Sequence, residues 1–371
     1  MKNWKYKRLS ECSNFISERT SNITIDNYIS TENMIENRGG VKIASTLPDV
    51  KSTSAYKPND ILLSNIRPYF CKIWFADKKG SCSNDVLVVR AKKEIDPKFL
   101  YYVLSDQNFF NWDSMTSKGT KMPRGTPNAI MKYSVPDLPF HTQEKIASIL
   151  SAYDNLIQNY KKQIEALQTA ASELYKEWFV RFRFPRYQTT KFENGIPKGW
   201  KVEKLGTLAN ISTGKCNRED AEEDGIYPLF DRSQEIKKSN EWIKYCEAII
   251  VPGEGTSFIP RYYKGKFNLH QRCYCVEPKY PNFGKFLFYV LMLNRKYFLS
   301  VATGATVPSL RYNNFASMKF FLPEMSLCNN FNKIADDIFA KVDNLQQQIT
   351  NLTQQRDLLL PRLMSGKLEM E

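Results

Sequence analysis

The side chains of this 371-residue chain best suited to chemistry are cations, amides and hydroxyls gathered in two short loops. Ser117-Lys118-Gly119-Thr120-Lys121-Met122-Pro123-Arg124-Gly125-Thr126 sets three cations among hydroxyls and flexible glycines. Such groups hydrogen-bond phosphate oxygens and base edges. The stretch Thr303-Gly304-Ala305-Thr306-Val307-Pro308-Ser309-Leu310-Arg311 keeps the Gly and Pro frame but carries Thr306, Ser309 and Arg311 in place of the cation cluster. Lys118, Thr120, Lys121 and Arg124 of the first loop, and Thr306, Ser309 and Arg311 of the second, are therefore candidate DNA contacts. Arg67, Lys215, Arg261, Gln271 and Arg272 join them, because Arg and Gln make bidentate contacts with guanine and adenine. Solvated surface loops carry the same residue types without a function. Repetition at equivalent places favours the functional reading.

Catalytic constellations are not found. The two histidines, His141 and His270, leave little for acid-base work or a Ser-His-Asp arrangement, and both are expected to be structural. Gly253-Glu254-Gly255-Thr256 lacks the lysine of a phosphate-binding loop. No Asn-Pro-Pro-aromatic tetrapeptide of an amino-methyltransferase occurs. Neither Pro48-Asp49 nor Pro136-Asp137 is followed by the acidic-x-Lys of a metal-dependent nuclease. Eight cysteines lack any C-x-x-C pair, so reduced thiols and no metal are expected; in Cys273-Tyr274-Cys275 the alternation puts both thiols on one face of a strand.

Charge agrees with a nucleic-acid partner, since 53 Lys and Arg against 39 Asp and Glu give a net charge of +14. The charged start, Met1 to Arg8, has no apolar core behind it, which argues for a cytoplasmic protein. The longest apolar run, Phe286 to Leu293, falls far short of the roughly 20 residues that cross a bilayer, so no membrane association is expected.

The elements that must position these loops repeat once. Trp4 with Leu9 recurs as Trp200 with Leu205, and Phe99 to Leu104 as Phe286 to Leu291. The two loops follow, and Asp154-Asn155-Leu156 recurs as Asp343-Asn344-Leu345. A period of about 188 residues marks a tandem duplication. Each copy ends in a helix with coiled-coil spacing. The first seam is Ile146, Leu150, Tyr153, Ile157, Tyr160, Ile164 and Leu167, and the second is Ile338, Val342, Leu345, Ile349, Leu352 and Leu359, with one polar lapse at Arg356. Strand-like runs such as Asp85 to Val89 and Ala248 to Val251 mix with helices, which makes the globular parts α+β. We divide the chain into a first globular domain (1–142), a first spacer helix (143–180), a second domain with its entry linker (181–325) and a second helix (326–371).

Pro197-Lys198-Gly199-Trp200-Lys201 with Leu205-Gly206, and the shorter Asn3-Trp4-Lys5 with Leu9, resemble the opening of a recognition domain in the specificity subunits of Type I restriction-modification systems. Leu174 to Val180 with Phe184-Pro185 resembles that family's central conserved region. Gln143-Glu144-Lys145-Ile146-Ala147 resembles the start of its first spacer helix, and Arg356 to Gly366 its closing signature. One departure is that Asn329 and Asn330 stand where a Gln-led start is expected in the second copy.

The resemblance spans nearly the whole chain. It implies two tandem target-recognition domains separated by two helices that pair as an antiparallel coiled coil with pseudo-two-fold symmetry. It also implies a non-catalytic subunit that binds double-stranded DNA at a split site. Its partners would be two methyltransferase (modification) subunits and, in the full complex, restriction subunits. S-adenosylmethionine, ATP and magnesium would belong to those partners, with no cofactor here. A basic coiled-coil scaffold and a stand-alone DNA-modifying enzyme are the alternatives.

Overall fold

Val86-Leu87-Val88-Val89 is apolar at every position, the pattern of a strand covered on both faces. In the computed structural model, which describes residues 4–365, strand Val86–Ala91 lies inside an antiparallel sheet of four. Its neighbours are Ser13–Phe15 on one side and Ile61–Ser64, followed by Ile73–Phe75, on the other. Asn3 of the opening motif and Gly366 of the closing one lie outside the described residues.

The chain forms two compact units, Met1–Lys161 with Gln347–Glu371, and Lys162–Gln346. In the first unit, one face of the sheet shares a core with Ile29, Tyr56 and Cys82 of a second four-stranded sheet. The other face packs on helices Pro97–Ser105 and Gln107–Thr116 through Phe99, Leu100, Val103, Phe109 and Phe110. Both helix starts are written locally. Asp96 precedes Pro97 and accepts from the Phe99 amide at 2.7 Å, and Asp106 accepts from the Asn108 amide at 2.8 Å.

The second unit repeats this plan on a larger sheet of six, ordered Ala209–Thr213, Cys273–Pro278, Lys244–Pro252, Arg261–Leu269, Tyr227–Phe230 and Lys237–Ser239. Helices Gly284–Leu293 and Arg295–Val301 cover it. Cys273 and Cys275 share one buried cluster while Tyr274 between them faces the other, as strand alternation requires. The segment after the first long helix is packed: Phe182 and Phe184 lie 5.2 and 5.7 Å from the Trp200 ring.

The long helices run Phe140–Phe179 and Met325–Met364, 40 residues or roughly 60 Å each. The first begins three residues ahead of Gln143. Each contributes to both units. None of the thirteen seam positions is exposed.

In the first unit, Ile146, Ala147 and Leu150 share a core with Leu360 and Leu363, and Asp154 pairs with Arg356 at 2.6 Å, so the segments run antiparallel. The polar lapse at Arg356 thus has a partner. The same Asp154 carboxylate accepts the Tyr102 hydroxyl at 2.6 Å, which ties helix Pro97–Ser105 to both long helices. In the second unit, Tyr175, Trp178 and Phe179 all pack on Phe331.

Gln143 is buried; it accepts from the Asp96 amide at 2.9 Å and donates to the Leu138 carbonyl at 2.9 Å. In the second copy Asn332 takes this place, 189 residues on, accepting from the Phe286 amide at 3.2 Å and donating to the Cys328 carbonyl at 2.8 Å. Asn329 and Asn330 are exposed, so the expected counterpart lies two to three residues further along. An amide that must both accept and donate explains why an Asn serves where Gln stood.

Candidate nucleic-acid interface

Both loops are closed in the same way. Lys118 and Arg124 exchange backbone hydrogen bonds at 2.9 Å, and Thr303 and Ser309 do so at 2.9 and 2.7 Å. Gly119 at φ +96° and Gly304 at φ +116° make the first bend, a region open to glycine. Each loop is then moored to the segment that leaves a central strand. Arg67 donates its amide to the Pro123 carbonyl at 2.8 Å and Gly125 donates to Asn65 at 3.1 Å. Gly255 donates to Pro308 at 3.0 Å and Leu310 to Gly253 at 2.8 Å. Asn65-Ile66-Arg67 is therefore the structural counterpart of Gly253-Glu254-Gly255.

Arg67 occupies the position held by Gly255, and both have positive φ, +51° and +123°. A non-glycine residue there costs about 1 kcal/mol or more, and such strain concentrates at functional positions. The Arg67 guanidinium lies over Phe70, with its Nε buried and lacking a partner among the described residues.

Lys118, Thr120 and Lys121 are exposed on the first loop, and no side-chain hydrogen bond or ion pair holds them among the described residues. Arg124 is exposed and pairs with Asp85 at 3.1 Å. On the second loop Thr306 and Arg311 are exposed, while the Ser309 hydroxyl makes a long 3.5 Å bond to the Val307 carbonyl. Lys215 is exposed, and Gln271 donates to Asn217 at 2.6 Å.

Arg261 is partly held by its own domain. Its Nη atoms donate to the Ser233 carbonyl at 3.0 Å and the Asp231 carbonyl at 2.6 Å, and its guanidinium lies over the Phe230 ring. These two bonds fix that turn, while the Nε is buried without a partner among the described residues. His270 is buried, and its Nδ1 accepts from the Arg272 amide at 3.0 Å. Burial and the neighbouring Arg232 lower its pKa, as suits a neutral structural imidazole.

Four residues escaped the sequence reading. Arg232 and Glu254 face each other at 2.6 Å beside Arg272, which donates to the same carboxylate. Burial opposes ionisation of Glu254, but hydrogen bonds from Arg232 and Arg272 outweigh it and hold the carboxyl below its usual range. Asp85 opens the strand-like run to Val89, and nothing in that run marks its partner Arg124. Asp113, fully buried beneath Gly125, has both carboxylate oxygens without a partner among the described residues, and burial pushes its pKa up to about 7. Equivalence of segments 65–67 and 253–255 would have flagged Glu254; nothing in the spacing marks Arg232.

Among the described residues no group of His, Cys, Asp and Glu could hold a metal ion, and no helix is long and apolar enough to cross a membrane. Two moored loops with different side chains, set on duplicated domains, define a recognition protein whose chemistry is hydrogen bonding and charge.

Comparison with known proteins gives the particular family. A family model described as the Type I restriction modification DNA specificity domain matches residues 1–169 and again 197–357, and the chain belongs to this family. The Type I restriction enzyme MjaIX specificity subunit of Methanocaldococcus jannaschii is 25% identical over 317 residues, 76% of this chain and 71% of that protein. The EcoDI specificity subunit of Escherichia coli is 31% identical over 180 residues, covering 47% of this chain and 40% of that one. The crystal structure of a Type I restriction-modification S subunit from M. genitalium superimposes with a TM-score of 0.62 at 20% identity, covering 100% of this chain and 97% of that one, which shows a shared fold. The chain is thus a DNA sequence-recognition subunit of a restriction-modification system, with a non-catalytic role.

Proposed function

We propose that the two domains read the two halves of a split duplex site, each through its own moored loop. The observation that carries this is the loop platform built twice with the same backbone hydrogen bonds but different side chains: one architecture, two specificities. Duplicated domains joined by stiff helices suit a bipartite site whose gap is a property of the protein. The helices dock two methyltransferase subunits, and restriction subunits join in the full complex, all in the cytoplasm. S-adenosylmethionine, ATP and magnesium belong to those partners, so catalysis is borrowed. The net charge of +14 supports the electrostatic part of binding.

The test is co-expression with a Type I methyltransferase subunit from the same host, mass determination of the complex, and sequencing of methylated adenines in the host DNA. Two methyltransferases per copy of this chain and methylation at a split motif are expected. A complex without a split motif would refute the half-site reading; failure to form a complex would refute the docking role.

A further inference from the structure

At the foot of each loop an arginine is tied to a carboxylate, and the two domains achieve this with the charges exchanged. Asn65 donates its amide to the Asp85 carbonyl at 2.8 Å, and its counterpart Gly253 donates to the Arg272 carbonyl at 2.8 Å, so Asp85 and Arg272 occupy one structural position. In the first domain the acid stands there and its cation, Arg124, comes from the loop. In the second the cation stands there and its acid, Glu254, comes from the segment equivalent to Asn65-Ile66-Arg67. Arg232 grips the second oxygen of Glu254. The Arg124, Arg232 and Arg272 side chains remain 56%, 44% and 55% exposed, while Glu254 is only 16% exposed.

A guanidinium has five N–H donors, and one or two spent on a carboxylate leave donors for a further acceptor pair. The carboxylate also fixes the plane of the group and cancels much of its charge, which suits it to one acceptor geometry and weakens its attraction to phosphates in general. Lys118, Lys121 and Lys215 are the reverse case: exposed, flexible ammonium groups with no side-chain partner among the described residues.

We propose that Arg124 in the first domain, and Arg272 with Arg232 in the second, read guanine O6 and N7, aimed by Asp85 and Glu254 as positioning residues, while Lys118, Lys121 and Lys215 contact phosphates. The assignment rests on the split-site reading above.

The experiment uses the full chain in its methyltransferase complex and duplex oligonucleotides carrying the methylated motif, with each guanine replaced in turn by 7-deazaguanine, which lacks the N7 acceptor. One replacement per half-site should weaken binding roughly ten- to a hundredfold. Arg124→Lys should lose about as much on the natural duplex, become insensitive to the first-half replacement and stay sensitive to the second; Arg272→Lys should do the converse. Asp85→Asn and Glu254→Gln should reduce discrimination while tightening binding to unrelated DNA. Lys121→Ala should weaken all sequences alike and flatten the slope of log K against log salt by roughly 0.9. Selective binding without a sensitive guanine, or equal weakening on all sequences by Arg124→Lys, would overturn the arginine assignment alone. Absence of any selectivity in the wild-type complex would instead overturn the split-site reading beneath it.

Discussion

Replacing Asp113 by Asn tests the electrostatics of the platform under the first loop. Asp113 lies on helix Gln107–Thr116 with no exposure, and a Cβ added to Gly125 would sit 2.5 Å from its Oδ1 and 2.9 Å from Asn65 Oδ1. Counting back from the matched loop closures at Lys118 and Thr303, its counterpart is Phe298, an ordinary core residue of the second unit. Burial raises the Asp113 pKa from 3.8 to about 7. The folded state therefore keeps a proton that the unfolded chain has released, and stability falls as pH rises through that window. At 1.36 kcal/mol per pH unit the loss is about 1 kcal/mol at pH 4.5 and about 4 kcal/mol at pH 8, where it levels off.

Asn mimics the neutral acid and does not titrate. The variant should match the wild type near pH 4 and exceed it at pH 8 by a melting temperature difference on the order of 10 °C for a unit of this size. Thermal unfolding followed from pH 4 to 8.5 measures this. Parallel pH profiles for the two proteins would refute the account, since they would mean that the carboxyl releases its proton at the same pH in the folded and unfolded chain.

Four further outcomes follow from geometry. Arg356→Ala leaves the half-buried Asp154 carboxylate with only the Tyr102 hydroxyl and should destabilise the first unit by about 2 kcal/mol in chemical denaturation; adding Asp154→Asn should recover part of it. Gly304→Ala places a Cβ 2.6 Å from the Val307 carbonyl oxygen, whereas Gly119→Ala meets its nearest atom at 3.4 Å. Loss of half-site discrimination should accordingly be greater for the second loop than for the first, as measured by competition binding. Inserting one helical turn between Gln168 and Ser172 should change the gap between half-sites read by methylation mapping, and an unchanged gap would sink the spacer idea. Exchange of residues 1–142 for another recognition domain should change one half-site only.

What was legible in the sequence was whatever repeats or has a period. The duplication, the apolar helix faces and the Gly and Pro frame of the loops are each a pattern along the chain, and they fix backbone rather than side-chain partners. Arg356 read as a lapse in a seam because a heptad counts apolar positions and cannot see Asp154, some two hundred residues away, waiting in the same layer. Arg261 shows the matching limit: its residue type is visible in the sequence, while the Asp231 and Ser233 carbonyls that accept from two of its donors are not.

Charge exchange at the loop foot is the sharper case. Asp85 and Arg272 occupy one structural position with opposite charge, so a comparison of the two copies residue by residue sees divergence where the structure keeps an ion pair. Duplication preserves the backbone bonds that moor each loop, because any residue except proline can donate them. Side-chain chemistry above that backbone is then free to diverge, provided that each arginine keeps an acid within reach. On the proposed arginine assignment, a recognition domain changes the bases it reads without rebuilding the platform that presents them.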